Sequence, residues 1–324
     1  MLHITNGDSV VATFRQARFP GKYLSWADVL HDGPVPDLPT LEELSDVRAH
    51  ALAGFGWGSY EKLRASFAAR DRMLADFRLQ EEVVLWFEHD LADQLQILQL
   101  LDWFYAQDPG KTRLCLIQIN SYPGVQPFFG LGQLSATQLM RLFPTRRTVS
   151  TMQLSVGKEV WRAFRAPDPS ELFALSGFHR AEQEFPEMPF LRAALLRFFE
   201  EFPSVQDGLS RTQWQILKAS EAGARTKRDL YMASRKVEAC PWGDASVFLR
   251  IESLASGPQP ALLKKSADDY ELTDAGRKLL AGNADWARLN GGIDVWLGGT
   301  HLTGEPAWRW DGEAHKLVTG RMKA

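Results

Sequence analysis

The sequence contains little cysteine and no long apolar run, and both absences limit what the chain can be. Its two cysteines, Cys115 and Cys240, cannot build a disulfide framework or a zinc motif, so we expect both to pack in the interior. No stretch approaches the roughly 18 apolar residues that a membrane span needs. The amino terminus also lacks a basic region followed by an apolar one. We therefore expect a cytoplasmic protein that has no membrane partner.

A strong charge of either sign is also missing. The formal net charge is -3 over 324 residues, and the contents of 45% hydrophobic and 24% charged residues are those of an ordinary globular protein. The length favours more than one domain. Residues 208–282 are mildly basic, but they lack the basic stripe of a dedicated DNA-binding protein. The composition therefore permits DNA as a partner without giving it much support.

The first half of the chain alternates strand-like and helix-like segments. The strand-like runs lie at residues 2–5, 22–26, 83–87, 113–119 and 147–154. Alternation of this kind predicts a parallel sheet with helices on both faces. Residues 40–78 have helical periodicity and indicate a helical insertion between the second and third strands. We predict an α/β domain with an open, mostly parallel sheet over residues 1–165.

The second half has a different pattern. Residues 166–207 contain several prolines and resemble a helical connector. Three amphipathic helices and a hairpin follow within residues 208–282, and a short helix capped by Thr273 closes this segment. This order is typical of a winged-helix-like α+β domain. Residues 283–324 contain turn residues and alternating tryptophans, which predict a β-hairpin tail.

Polar clusters follow four of the predicted strands. They are Asn6, Gly7, Asp8 and Ser9; Asp28 and His31; Glu88, His89 and Asp90; and Asn120, Ser121 and Tyr122. In an open parallel sheet, ligands bind beyond the carboxyl ends of the strands. Because these ends share one edge of the sheet, we expect the four clusters to line one cleft.

The cluster after the third strand has two parts. Asp90 and Asp93 have the spacing of a capping box that starts a helix. A polar stripe, which we expect to face solvent, continues along that helix through Asp93, Gln96, Gln99 and Asp102. Capping does not explain Glu88, and a carboxylate at the end of a buried strand is costly unless it is paired, hydrogen bonded or bound to a cation. Glu88 is therefore the strongest single candidate for a functional residue.

These side chains together suit a site for a metal ion and a phosphate. Hard divalent cations prefer oxygen ligands, so we predict Mg²⁺ or Mn²⁺ bound by Asp8, Asp28 and Glu88. Imidazoles of near-neutral pKa transfer protons at physiological pH, so the predicted catalytic residues are Glu88, His89 and His31. Free backbone N–H groups at a helix start bind anions, so the predicted ligand-binding residues are Asn6, Gly7, Ser9, Asn120 and Ser121. Purely structural roles as helix caps and turns stay open for several of them.

Six segments taken together resemble one family. They are HITNGDSV, WADVLHDGPVP, LWFEHDLADQ, GLSRTQWQIL, LTDAGR and WRWD. In combination they resemble an uncharacterised bacterial family, described as a domain of unknown function, over nearly the whole chain. The resemblance implies a bacterial cytosolic protein that joins an α/β domain to a winged-helix-like one. It implies no activity, cofactor or catalytic residue.

Three functions follow from these patterns. We favour a domain that binds a small phosphorylated ligand or nucleotide, either as a binding domain or as a metal-dependent hydrolase or phosphotransferase. Neither a GxSxG nor an HExxH motif is present, which disfavours acyl transfer and zinc proteolysis. The second function is a ligand-responsive regulator that binds DNA through Lys227, Arg228, Lys264 and Lys265. The third is a protein-interaction module without catalysis.

Overall fold

The structure, a computed structural model, describes residues 1–178, 185–238 and 242–319. Cys240 lies outside these residues. The described chain forms two compact units. The first consists mainly of Met1–Leu175, and the second mainly of Leu195–Leu297 and the residues from His301 onward.

A five-stranded sheet organises the first unit. Its strands are β1 (Leu2–Thr5), β2 (Lys22–Ser25), β3 (Glu82–Glu88), β4 (Arg113–Ile119) and β5 (Arg147–Thr148). Their spatial order is β2-β1-β3-β4-β5; the first four are parallel, and β5 runs antiparallel to β4. The prediction of a mostly parallel sheet is confirmed. The run at 147–154 forms only two residues of strand, because a helix starts at Thr151.

The helices up to residue 176 are α1 (Asp8–Gln16), α2 (Leu41–Gly54), α3 (Tyr60–Ala75), α4 (Leu91–Tyr105), α5 (Ala136–Leu142), α6 (Thr151–Phe164) and α7 (Ser170–Ser176). Helices α2 and α3 lie between β2 and β3, in the segment predicted as a helical insertion. Thr40 starts α2 with a capping box in which its hydroxyl accepts from the Glu43 backbone N–H. Within the described residues, no helix combines the length and the apolarity needed to cross a membrane.

The core of this unit forms on both faces of β3. Val84 and Trp86 lie in a cluster with residues of α1 and α5, and Cys115 of β4 lies in the same cluster as a free, buried thiol. The intervening Val83 and Leu85 are also fully buried. A strand buried on both faces shows a continuous apolar run rather than alternation, which explains the VVLWF segment.

His3 is a polar residue inside this core. The Trp86 indole N–H donates to its Nδ1 at 3.0 Å, and its Nε2 lies 3.0 Å from the carbonyl oxygen of Pro20. An imidazole that accepts at one nitrogen and donates at the other is neutral. Burial, which outweighs the hydrogen bond to Pro20, lowers the pKa of His3 to about 4.

The second unit combines helices and small hairpins. Its helices are α8 (Leu191–Phe199), which starts in the first unit, then α9 (Arg211–Glu221), α10 (Lys227–Arg235), α11 (Asp244–Leu254), α12 (Asp274–Leu280) and α13 (Trp286–Leu289). Its strands form three antiparallel pairs: β6 (Leu262–Ser266) with β7 (Asp269–Leu272), β8 (Ile293–Leu297) with β9 (Thr300–Gly304), and β10 (Trp308–Asp311) with β11 (Lys316–Thr319). The Thr273 hydroxyl caps α12, as its sequence context predicts.

The WRWD segment forms β10 and is largely buried. Arg309 is buried and pairs with Asp285 at 2.8 Å, and it also donates to the Ser204 carbonyl oxygen at 3.0 Å. The Trp310 ring stacks on Phe199 with the ring centroids 5.9 Å apart. These contacts give this segment a structural role, because a buried guanidinium needs both a counter-ion and hydrogen-bond acceptors.

The buried, neutral His3 should make the stability of the first unit fall in mild acid. Its folded pKa of about 4 lies below the ordinary histidine pKa of 6.5, so the unfolded state binds the proton first as the pH falls. The free energy of unfolding should decrease between these two pH values, by up to about 3 kcal/mol. Urea unfolding of wild type and His3→Gln at pH 7 and pH 4 measures the difference.

The matched control for that experiment is His50→Gln, because the His50 ring is exposed. This variant should keep the pH dependence of the wild type, whereas His3→Gln should lose about 3 kcal/mol of it. A His3→Gln variant with the wild-type pH dependence would show that His3 does not contribute.

Candidate functional site

The strand order reverses between β1 and β3. The chain leaves β1 for β2 on one side and returns to β3 on the other, and crevices at such a switch point are where open α/β sheets bind ligands. The parallel register sets Thr5 opposite Trp86. As a result, Asn6 and the start of α1 emerge beside Glu88 at the carboxyl edge of the sheet.

Three carboxylates gather at this position. Glu88, Asp90 and Asp93 each offer an oxygen, and these oxygens lie within 4.8 Å of one another; we call this group the acidic cluster. Glu88 is 4% exposed and Asp93 is 2% exposed, while Asp90 is half-buried. Within the described part of the chain, no lysine or arginine forms an ion pair with any of them. The cluster therefore concentrates negative charge without a basic partner from those residues.

Burial makes these acids hard to ionise. It raises the pKa of Glu88 to about 8, and the charge of Asp90 adds to the shift. Burial likewise raises the pKa of Asp90 and, together with the neighbouring carboxylates, that of Asp93. Adjacent buried carboxylates cannot all carry charge unless something positive stands between them. The acidic cluster must therefore hold protons or a cation.

Hydrogen bonds fix the acidic cluster in place. Asp93 accepts from the Glu88 backbone N–H at 2.5 Å and from the Asn6 side-chain amide at 2.9 Å. The Asn6 side chain also opposes the rise in the pKa of Glu88. Asp90 caps α4 by accepting from the Asp93 backbone N–H at 2.9 Å, so half of the predicted capping box is present. Asn6 thus binds a carboxylate that lies 87 positions further along the chain.

A turn that was not predicted closes one side of the cluster. The Leu131 backbone N–H donates to Glu88 Oε1. A Cβ atom on Gly130 would lie 2.7 Å from the Glu88 carboxyl carbon, and one on Gly132 would lie 2.7 Å from the Ser9 hydroxyl. We call Gly130–Gly132 the GLG turn. Its only signal in the sequence is a pair of glycines with one residue between them, which many turns share.

Gly7, at the start of α1, borders open space. It is the N-cap and provides no side-chain hydrogen bond to the helix. The Gly7 backbone is extended at φ -168°, and a Cβ atom there would meet nothing within 4 Å. The fold itself therefore does not require glycine at this position. Asp8 and Ser9 are exposed in the first turn. A helix start with free N–H groups attracts anions.

His89 borders the acidic cluster from the same strand end. Its ring lies 6.5 Å from that of Phe128 and 5.9 Å from that of Phe190. Burial lowers the pKa of His89, although the charge of Asp90 and a hydrogen bond to the Ile119 backbone oppose this shift. The ring is therefore neutral near pH 7 and able to accept a proton.

Asp28 takes a different position from the one predicted. Its carboxylate is buried and accepts from Arg48 Nε at 3.0 Å and Arg48 Nη2 at 2.9 Å. Arg48 also donates to the Asp32 carbonyl oxygen at 2.7 Å. The structure does not bring Asp28 into the acidic cluster, because Asp28 is the counter-ion of a buried arginine. It leaves Asp8 outside the cluster as well, and Glu88 is grouped with Asp90 and Asp93 instead.

The remaining predicted residues of the first unit are dispersed. His31 is buried with its Nε2 3.6 Å from an Asp32 oxygen. Asn120 and Ser121 follow β4 and are exposed, and the Ser121 hydroxyl donates to the Asn120 side chain at 3.3 Å. Neither of these pairs belongs to the acidic cluster.

The polar stripe on α4 does not face solvent. Gln96 and Gln99 are buried. The Gln96 amide donates to the Asp28 carbonyl oxygen at 2.9 Å, and the Trp26 indole N–H donates to the Gln99 side-chain oxygen at 2.9 Å. The expectation of a solvent-exposed stripe is wrong because the segment after β2 lies over it.

Three of the four residues predicted to contact DNA have acidic partners. Lys227 and Lys264 contact the Glu252 carboxylate at 2.6 and 3.0 Å. Lys265 pairs with Glu271. Arg228 is exposed. Ion pairs of this kind reduce the positive potential that a phosphate backbone would meet.

Comparisons of the chain with family models and with curated proteins gave no match. The chemistry of the acidic cluster itself indicates what it can bind. Carboxylate and amide oxygens are the ligands of hard cations such as Mg²⁺, Mn²⁺ and Ca²⁺, whereas Zn²⁺ prefers nitrogen and sulfur ligands. The cluster therefore suits a divalent cation with oxygen ligands.

Replacing Gly130 with alanine should disturb the Glu88 carboxylate. The added Cβ would collide with it, and the positive φ of 157° adds backbone strain. We expect Gly130→Ala to lower the free energy of unfolding by about 1 to 3 kcal/mol. Gly124→Ala is the control, because Gly124 also has a positive φ but faces open space. Equal losses in urea unfolding of the two variants would contradict a specific contact with Glu88.

Proposed function

We propose that the first unit binds a small phosphorylated ligand together with a divalent cation, Mg²⁺ or Mn²⁺, at the acidic cluster. One observation carries this proposal: three carboxylates lie within 4.8 Å of one another, and none pairs with a described lysine or arginine. Buried charges are normally paired or bound to a metal. The proposal replaces the predicted ligands Asp8 and Asp28 with Asp90 and Asp93.

The geometry supports coordination rather than a purely structural role. Asp90 caps α4 with one oxygen, whereas Asp93 accepts from the Glu88 backbone N–H with one oxygen and from the Asn6 amide with the other. A carboxylate has about four acceptor positions on its two oxygens, which leaves capacity for a metal. Asn6 and the Leu131 N–H donate to the ligands, as supporting groups around metal sites commonly do.

The same edge of the sheet supports binding of a phosphate. An anion alone would be repelled by the carboxylates, but a cation bound to them would attract it and bridge the two. The start of α1 lies beside the cluster through Asn6, and there is open space next to Gly7. Backbone N–H groups and the helix dipole both favour a phosphate group there.

The reaction class that we propose is phosphoester hydrolysis or phosphoryl transfer. A cation neutralises the charge that develops on phosphate oxygens, and most of the catalysis in this chemistry comes from positioning and electrostatics. His89 is the candidate proton-transfer group because its neutral ring follows Glu88 directly in the chain.

For the second unit we propose a winged-helix-like fold. Helices α9 to α11 are followed by the β6–β7 hairpin and the capped helix α12, which is the order typical of that fold. The ion pairs of Lys227, Lys264 and Lys265 argue against DNA as its main partner. No contact among the described residues favours a protein-interaction module specifically.

The cation site makes a direct prediction. Mn²⁺ should bind the full chain and raise its stability, by about 2.7 kcal/mol at a hundredfold excess over Kd. Asp90→Asn keeps a good helix cap but removes one ligand charge, so it should weaken Mn²⁺ binding at least about tenfold. Calorimetric titration and thermal unfolding with MnCl₂ measure both effects.

The control for this variant is Asp168→Asn. Asp168 is exposed and accepts from the Ser170 backbone N–H at 2.8 Å near the start of α7, so the change is chemically matched but distant from the cluster in the chain. It should leave Mn²⁺ binding unchanged. If wild type shows no Mn²⁺ binding up to millimolar concentration, the cation proposal fails.

The phosphate makes a separate prediction. In saturating Mn²⁺, pyrophosphate or a nucleoside diphosphate should raise the melting temperature further, and in EDTA neither should do so, because the carboxylates then repel it. Glu88→Ala should abolish the additional shift. If wild-type protein binds Mn²⁺ but no phosphorylated compound raises its melting temperature, the cation proposal stands and the phosphate proposal fails.

A further inference from the structure

A layer of buried polar side chains separates α4 from the segment that follows β2. Gln96, Gln99 and Arg70 are 4%, 3% and 5% exposed. Each satisfies only part of its hydrogen-bonding capacity: in the described structure Gln96 Oε1, Gln99 Nε2 and Arg70 Nη1 have no hydrogen-bond partner. Buried side-chain atoms of this kind nearly always have one.

The three side chains each contact the segment of residues 26–28. The Trp26 indole N–H donates to Gln99 Oε1 at 2.9 Å, and the Arg70 guanidinium carbon lies 4.0 Å from the centre of the Trp26 ring. The Gln96 amide donates at 2.9 Å to the carbonyl oxygen of Asp28, two residues after Trp26. A buried polar group without a partner is costly, so a guest that hydrogen bonded to all three side chains would stabilise this layer.

We propose that the layer encloses one or two ordered water molecules, held between Gln96, Gln99 and Arg70. The chemistry of the three atoms selects this guest. Gln99 Nε2 and Arg70 Nη1 donate, whereas Gln96 Oε1 accepts. Water accepts two hydrogen bonds and donates two, and buried waters typically make about three.

The local charge balance argues against an anion at the same place. The positive charge of Arg70 is already paired with Asp71, whose oxygen lies 2.8 Å from Arg70 Nε. The neighbouring Arg48 is paired with Asp28 at 2.9 Å. An anion would therefore add a buried negative charge without a counter-ion, and it could not donate to Gln96. A neutral guest that both donates and accepts fits better.

Radiolytic hydroxyl labelling of the full chain tests this site, because radicals formed from bound water oxidise side chains that bulk solvent does not reach. Trp26 and Trp86 are both 0% exposed, and the Trp86 indole donates to His3 inside an aromatic cluster. Trp26 should be oxidised at least about threefold faster than Trp86, since only Trp26 borders the proposed waters. Equal rates would overturn the proposal.

A crystal structure at about 1.8 Å resolution provides the second measurement. A water oxygen should lie within about 3.2 Å of at least two of Gln96 Oε1, Gln99 Nε2 and Arg70 Nη1. If instead these atoms contact one another or other protein groups directly, the proposal fails. The position of this water does not depend on the acidic cluster. The proposed function and the proposed water site can therefore be disproved separately.

Discussion

The parallel pairing of β1 with β3 is the constraint on which the candidate site depends. Its register sets Thr5 opposite Trp86, so the chain that leaves β1 passes directly beside the end of β3. Asn6 can therefore donate a hydrogen bond to Asp93, although this residue is far away in the sequence. This one set of backbone hydrogen bonds therefore brings the start of α1 to the carboxylates.

Much of the fold and part of the site could be predicted from the sequence. Strand and helix periods are local properties, so the parallel sheet and the helical insertion follow from them. The end of the VVLWF run places Glu88 at a strand terminus, and the rule for open sheets then places Asn6 near it. The grouping of Glu88 with Asp90 and Asp93 was not predicted, because capping appeared sufficient to explain these two aspartates.

The rest of the site depends on side-chain contacts between distant segments, which a local sequence pattern does not reveal. Asp28 lies near the end of a strand, as Glu88 does, but it is bound by Arg48 on α2. The periodicity of a helix does not indicate which carboxylate its arginine will bind. The stripe with Gln96 and Gln99 was predicted to face solvent because a polar stripe usually does. A helix pattern shows where polar side chains lie, but it does not show whether another segment covers them.

Asp90 and Asp93 serve the fold and the proposed site at once. The first starts α4, and the second accepts the Glu88 backbone N–H at the end of a buried strand. A homologue that no longer bound the ligand would therefore still retain these side chains, because they stabilise the fold. For this chain, an invariant carboxylate at either position would be weak evidence of function, and variation at Asn6 or Gly7 would be more informative.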